Sequence, residues 1–221
     1  MPALFQAEFE PWALSLALDT LLILEAFLYL LGWIRLRVAR VNMISGWRAG
    51  SFLLGLFLIW VALGSSLAAF DEELLTVHMV QHLLLMTLAP PLILLGAPVM
   101  PLLHGLPSSF VHRVLAPFFR YPSVQRVGHL LSNPTFCWLA GAAALVGWHV
   151  PAAFTLALQS EAWHVLEHTS FLVAGFLFWW PVIQPWPSVA HWRRWSMLPY
   201  LFLATLPCDI LSAYLTFCDH V

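Results

Sequence analysis

The sequence predicts an all-α protein, a polytopic bundle of membrane-spanning helices, and three observations carry that prediction. First, 61% of the 221 residues are hydrophobic and only 9% are charged, with a mean hydropathy of +0.83, against about a quarter charged in soluble domains. Second, windows of about 20 apolar residues, the length that crosses a bilayer as a helix, recur six times along the chain. Third, the basic residues are nine in number, all of them Arg, and every one falls between the same alternate windows. A net charge of -2 with so few cations excludes a nucleic-acid partner, which requires a basic patch. Three cysteines are too few and too odd for a disulfide framework.

The six windows are 11–34, 49–70, 74–96, 134–158, 162–183 and 196–217, and together they make residues 1–221 a single integral membrane domain. Residues 1–10 carry Glu8 and Glu10 and no basic residue, so they lack the positive n-region of a cleavable signal peptide and read as an external tail. Arg35, Arg37, Arg40 and Arg48 lie between the first and second windows. Arg113, Arg120 and Arg126 follow the third, and Arg193 and Arg194 separate the fifth and sixth. The positive-inside rule places these segments in the cytoplasm and the N-terminus outside. Glu8, Glu10, Asp71, Glu72, Glu73, Glu161 and Asp219 fall toward the other face. Trp33, Trp47, Trp180, Trp186, Trp192 and Trp195 suit an inner aromatic belt, and Trp12 and Trp163 an outer one. The one long connection, 97–133, holds five prolines and His104, His112 and His129. It reads as a cytoplasmic loop with a short surface helix near 109–119, its histidines without assigned function.

Two of the hairpins look alike. Ala68-Ala69-Phe70, acids and His78-Met79-Val80-Gln81-His82 in the second and third windows match Ala152-Ala153-Phe154, Glu161 and His164-Val165-Leu166-Glu167-His168 in the fourth and fifth. Both start inside, turn outside and return, as parallel repeats related by an axis along the membrane normal would.

Ionisable residues inside a membrane are costly and point to function. At about 1.5 Å rise per residue, His78 and His82 lie roughly 6 and 12 Å from the outer end of their window, and His164 and His168 roughly 3 and 9 Å. By the same count His149, Asp209 and Asp19 fall at about 8–12 Å, so five histidines and two aspartates share one layer. Residues four apart share a helix face, which lets each His-x-x-x-His pair aim two imidazoles at one neighbour. Imidazole binds copper, zinc, iron or nickel, with carboxylates completing the shell or orienting the rings. Of Gln81 and Glu167, which hold equivalent places, Glu167 is the expected partner because it carries charge. The candidate metal-binding set is therefore His78, His82, His149, His164, His168, Glu167, Asp209 and Cys208. Glu25 reads as a packing or proton-relay residue and Cys137 as inert. Met79 and Met86 are core filler or soft copper ligands. Pro151 after His149 and Pro207 before Cys208 free backbone carbonyls near polar side chains, which suggests a hydrated cavity. Pro90-Pro91 breaks the third window deeper in, a feature read as packing.

Several strings resemble the CtaG family of caa3-type cytochrome c oxidase assembly factors. They are Thr76-Val77-His78-Met79-Val80-Gln81-His82-Leu83-Leu84-Leu85 with Ala89-Pro90-Pro91 and Leu95-Gly96-Ala97-Pro98, Trp148-His149-Val150-Pro151 with Phe154, His164-Val165-Leu166-Glu167-His168 with Phe171, and Phe178-Trp179-Trp180-Pro181. The likeness runs from about residue 50 onward. It implies a multi-pass protein of the bacterial plasma membrane that serves the respiratory chain by assisting assembly of a haem-copper oxidase. It further implies copper as the ion, with His78, His82, His149, His164 and His168 as candidate ligands. The implied partners are oxidase subunits and an extracytoplasmic copper carrier. Members have about seven spans, so the chain is expected to be a partial or truncated one, and Cys208-Asp209 stands where relatives are small and apolar.

The expected function is thus a metallochaperone or assembly factor, not a catalyst. Two further readings stand beside it. His164-x-x-Glu167-His168 matches the H-x-x-E-H string of inverzincins, which would make the chain an intramembrane zinc hydrolase with Glu167 as general base. A haem b carrier is the third, although ligands paired four apart in one leaflet suit at most one haem.

Overall fold

The computed structural model describes residues 11–40, 44–65, 74–185 and 194–217, and among them every regular element is helical. The first spans follow the apolar windows closely. Helix α1 (Pro11–Val38) ends with Arg35 and Arg37 in its last turn, where cations complement the negative end of the helix dipole. Helix α2 (Gly46–Leu63) packs beside it, and α3 (Leu75–Leu83) returns through a π-helical turn (Leu84–Leu88) into α4 (Ala89–Leu95). Five segments are long and apolar enough to cross a membrane: Leu16–Val38, Gly46–Leu63, Leu75–Leu95, Glu161–Ile183 and Met197–Tyr214. A sixth arises if the pair Pro122–Leu131 and Pro134–Trp148, bent by 68°, crosses as one.

The fourth window departs from expectation. In place of one helix over 134–158, α9 (Pro134–Trp148) stops and α10 (Pro151–Gln159) starts afresh. Pro151 has no N–H to give the carbonyl one turn back, and the residue before a proline is driven out of the helical region. Val150 accordingly is extended, with φ -69° and ψ 130°. The other end of α9 is well made. Asn133 caps it, its Oδ1 accepting from the backbone N–H of Thr135 at 2.9 Å and of Phe136 at 3.4 Å, with Pro134 in the first turn.

Residues 97–133, expected to be a loop, are mostly helical: α5 (Val99–Gly105), α6 (Ser108–Phe110), a π-helical turn (Val111–Leu115), α7 (Ala116–Arg120) and α8 (Pro122–Leu131). The expected surface helix near 109–119 falls within them. Helix α5 folds back onto α1 so closely that a Cβ on Gly32 would meet the Pro101 carbonyl, and one on Gly105 the Leu28 carbonyl. Small residues at such crossings let backbones touch, a main source of helix association where lipid removes the hydrophobic drive. The Arg35 guanidinium donates to the carbonyls of His104 at 2.8 Å and Gly105 at 3.3 Å, satisfying the bare end of α5.

The first hairpin is pinned by Tyr29, fully buried, whose ring stacks on Phe52 at 3.9 Å and whose hydroxyl donates to the Gly96 carbonyl at 2.8 Å. Leu22, Leu56, Ile59, Leu85, Ala89 and Ile93 complete that core. The second hairpin joins α9 and α10 to α11 (Glu161–Ile183), and α11 packs on α4 and the π turn above it. Last comes α12 (Met197–Phe217), laid on α9. Outward-facing side chains such as Leu21, Phe27, Phe57, Leu83, Phe202 and Ile210 are exposed apolar groups, as lipid contact requires. Glu8, Glu10, Ala68-Ala69-Phe70, Asp71, Glu72, Glu73, Trp186, Trp192, Arg193, Cys218 and Asp219, and the side chain of Trp12, lie outside the description.

Candidate metal centre

The two His-x-x-x-His pairs meet in the interior. His78 and His82 stand one turn apart on α3 with ring centroids 4.2 Å apart, and His164 and His168 likewise on α11 at 4.3 Å. Across the interface His78 lies 5.7 Å from His164 and 5.9 Å from His168, and His82 lies 5.4 Å from His168. Between them sits Glu167, only 1% exposed, its Oε1 3.5 Å from Nε2 of both His78 and His82. That is longer than the 2.7–2.9 Å or so of a strong charge-assisted hydrogen bond, so the carboxylate faces both rings and is committed to neither.

The donor atoms form two overlapping sets, His78 with His82 and His168, and His78 with His164 and Glu167, each within 4.8 Å of one another. Two ligands on one ion at about 2.0–2.1 Å can be no more than about 4.2 Å apart, so small rotamer changes close either set. The chemistry favours a cation. His78 Nε2, both ring nitrogens of His82, His168 Nε2 and Glu167 Oε2 are buried without a hydrogen-bond partner. Each such atom costs about 1–3 kcal/mol when left unpaired, and an ion bound by nitrogen and oxygen lone pairs removes that penalty.

His149 is held at the broken end of α9, its ring 6.3 Å from that of His82. Its Nδ1 donates to the Leu145 carbonyl at 2.6 Å, which leaves Nε2 as the lone pair facing a ligand. It belongs to neither three-donor set. Trp148 ties this end of α9 to the cluster: its Nε1 donates to Ser170 Oγ at 2.6 Å, and Ser170 donates to the Glu167 carbonyl at 2.7 Å. Ser170 escaped the sequence reading because a serine on an apolar helix carries no signal of its own.

The remaining expected residues are distributed differently. Cys208 and Asp209 are exposed on α12 and stand in neither set, although they line the same cavity as His82 and His149. Asp19 shares the expected depth but lies on α1, which packs on α2 and α5; depth along a helix does not fix the face. Gln81 turns away as well, its Nε2 donating to the Ala62 carbonyl of α2 at 2.9 Å. Cys137 is buried and donates to the Leu131 carbonyl at 3.1 Å, in keeping with an inert thiol.

Two devices hold α3 in place. Pro90 cannot donate to Met86, and the freed carbonyl accepts from Trp179 Nε1 of α11 at 3.2 Å; the backbone absorbs the break as the π turn, a form common at functional sites. Gly175 of α11 lies against that turn, where a Cβ would come within 2.7 Å of the Met86 carbonyl and 2.8 Å of Pro90 Cγ. Phe171 stacks on His82 at 4.1 Å and closes the cluster from below.

An all-helical bundle with several helices long and apolar enough to cross a membrane, built around clustered imidazoles and a carboxylate that could hold a metal ion, defines a class of polytopic membrane protein. The chain belongs to the family of cytochrome c oxidase caa3 assembly factors, whose family model matches residues 27–221. No match is found among curated proteins or among solved structures.

Proposed function

We propose that the protein is a membrane assembly factor that binds copper in the cluster between α3 and α11 and helps deliver it to a haem-copper oxidase. Membership in the caa3 oxidase assembly family supplies the assembly role and points away from catalysis. The observation that supports ion binding is the group of unpartnered imidazole nitrogens gathered about the buried carboxylate of Glu167. His78 and His82 would hold the ion with His168, and His164 and Glu167 would offer the neighbouring position through His78. His149 would complete the shell from α9. Copper suits a site of neutral imidazoles, and zinc is the competing ion. Ligand exchange with a partner then moves the cargo without redox chemistry in the chain itself.

The test is an element-resolved metal count on the full chain purified in detergent and reconstituted anaerobically. About one to two copper ions per chain are expected, as separate or overlapping sets of imidazole ligands permit. The His78→Ala/His82→Ala double variant should bind none while remaining monodisperse and helical. A wild-type chain holding neither copper nor zinc overturns the proposal. Hydrolytic activity lost in Glu167→Gln with metal retained would instead establish the zinc hydrolase reading.

A further inference from the structure

A cavity of ≈ 680 Å³ adjoins the cluster, walled by α3 and its π turn, α9, α11 and α12. His82 and His149 belong to its lining, and so do three sulfur side chains, Met79, Met86 and Cys208. We propose that this cavity is the route by which the cargo ion leaves the cluster sideways, toward an acceptor embedded in the membrane, with the sulfurs as relay ligands. The inference deepens the function proposed above and rests on it.

Three features carry it. The cavity is joined to the cluster through His82, which is only 7% exposed and has both ring nitrogens unpartnered. Met79 stands three residues before His82, a spacing that shares a helix face, and Met86 lines the same cavity from the π turn, so an ion released by His82 meets a thioether in either direction. Thioethers and thiolates are soft donors that select monovalent copper. The far wall carries Cys208 beside Asp209, both exposed, and the carboxylate keeps the moving charge paired in an apolar passage.

The shape of the bundle gives the direction. Helix α12 is fastened to α11 at one end, where Tyr200 donates to the Phe178 carbonyl at 2.9 Å and the two rings stack at 4.9 Å. Beyond that point α12 lies on α9 and has no comparable packing on α3. The cavity is therefore bounded on the α3 side by a seam between helices that lipid or a partner helix faces.

Each step is a ligand exchange. The bond from copper to a His82 nitrogen breaks as a bond to a methionine sulfur forms, with no change in oxidation state. At Cys208 the thiol passes its proton to the Asp209 carboxylate and binds as the thiolate. The membrane acceptor then takes the ion, and the proton returns to the sulfur.

The test loads the full chain in nanodiscs with Cu(I) and follows extraction by two chromogenic chelators, at rates taken per loaded ion. Neocuproine dissolves in the membrane, whereas bathocuproine disulfonate stays in water. In Met79→Leu/Met86→Leu and in Ala204→Trp, which fills the cavity from α12 and alters no donor, extraction by neocuproine should slow about tenfold or more, the scale on which supporting residues act at metal sites. Extraction by the aqueous chelator should not change. If the loaded variants and wild type yield copper to neocuproine equally fast, the lateral route is wrong and the copper site stands. If the wild-type chain takes up no Cu(I), the route and the function beneath it both fail. The methionine pair is close to volume-conserving and carries the test should Ala204→Trp not fold.

Discussion

Glu167 shows how much one residue's surroundings decide. Its carboxylate lies 3.5 Å from an imidazole nitrogen of each histidine on α3, and it is the one acid among the buried polar residues described. Changing it to Gln keeps the shape but removes the charge that offsets a bound cation. A competition titration should then show copper affinity reduced about 10- to 100-fold, the usual cost of losing a supporting carboxylate, with the position formed by His78, His82 and His168 still filled. Unchanged affinity would assign Glu167 to packing. The histidine pairs were legible in the sequence because spacing four fixes a common face whatever the neighbours are. The difference between Gln81 and Glu167 was only half legible. Both precede the second histidine of their pair, about 100° around the helix from it. That flank of α3 meets α2, where Gln81 bonds Ala62, whereas the same flank of α11 meets α3. Charge favoured Glu167 from the outset, but only packing shows that Gln81 is spent elsewhere.

Among the elements, the contact of α11 with the π turn governs the distance between the two histidine pairs. Gly175→Ala places a methyl against the Met86 backbone and the Pro90 ring, an overpacking expected to cost about 1–3 kcal/mol and to lower both thermal stability and copper content. Gly50→Ala in α2 is the control: a Cβ there meets nothing within 4 Å, and helix propensity alone should raise stability by up to about 1 kcal/mol. Equal melting temperatures for the two variants would refute the role given to Gly175. Apolar length made α1, α2 and α11 readable. It misled for 134–158, because a run of hydrophobic residues registers continuity of polarity and not of backbone. Pro151 marked the break, yet how far the chain turns there depends on Val150 and on the neighbours of α10. The helices of 97–133 were hidden by the opposite effect, since Pro117 and Pro122, which read as loop punctuation, sit in the first turns of α7 and α8, where they are tolerated.

For the molecule as a whole, the segregation of arginines predicts an orientation that labelling can check. In a chain freed of its native cysteines, Ser123→Cys near the arginine-bearing end should react with an impermeant maleimide only in inverted vesicles, and Gln159→Cys only in intact cells. The reverse pattern would invert every statement of sidedness and place the cluster near the cytoplasm. Fold class was readable because hydropathy reports the solvent, and in lipid the solvent permits few backbones. The cavity beside the cluster was not readable, since it arises from which helices fail to touch.

The π turn has one more implication, for the evolution of the chain's length. It holds a surplus residue, and a helix gains about 100° of rotation for each residue added or removed. Loss of a single residue among 84–88 would let the wide turn close to an α-helical one and leave His78 and His82 near the face that meets α11. Loss of a residue from Leu75–Leu83 between the pair, where the helix is regular and no surplus exists, would instead swing one histidine about 100° from the other. The alignment of the histidine pairs is thus a matter of counting residues as much as of choosing them, with slack only at the π turn.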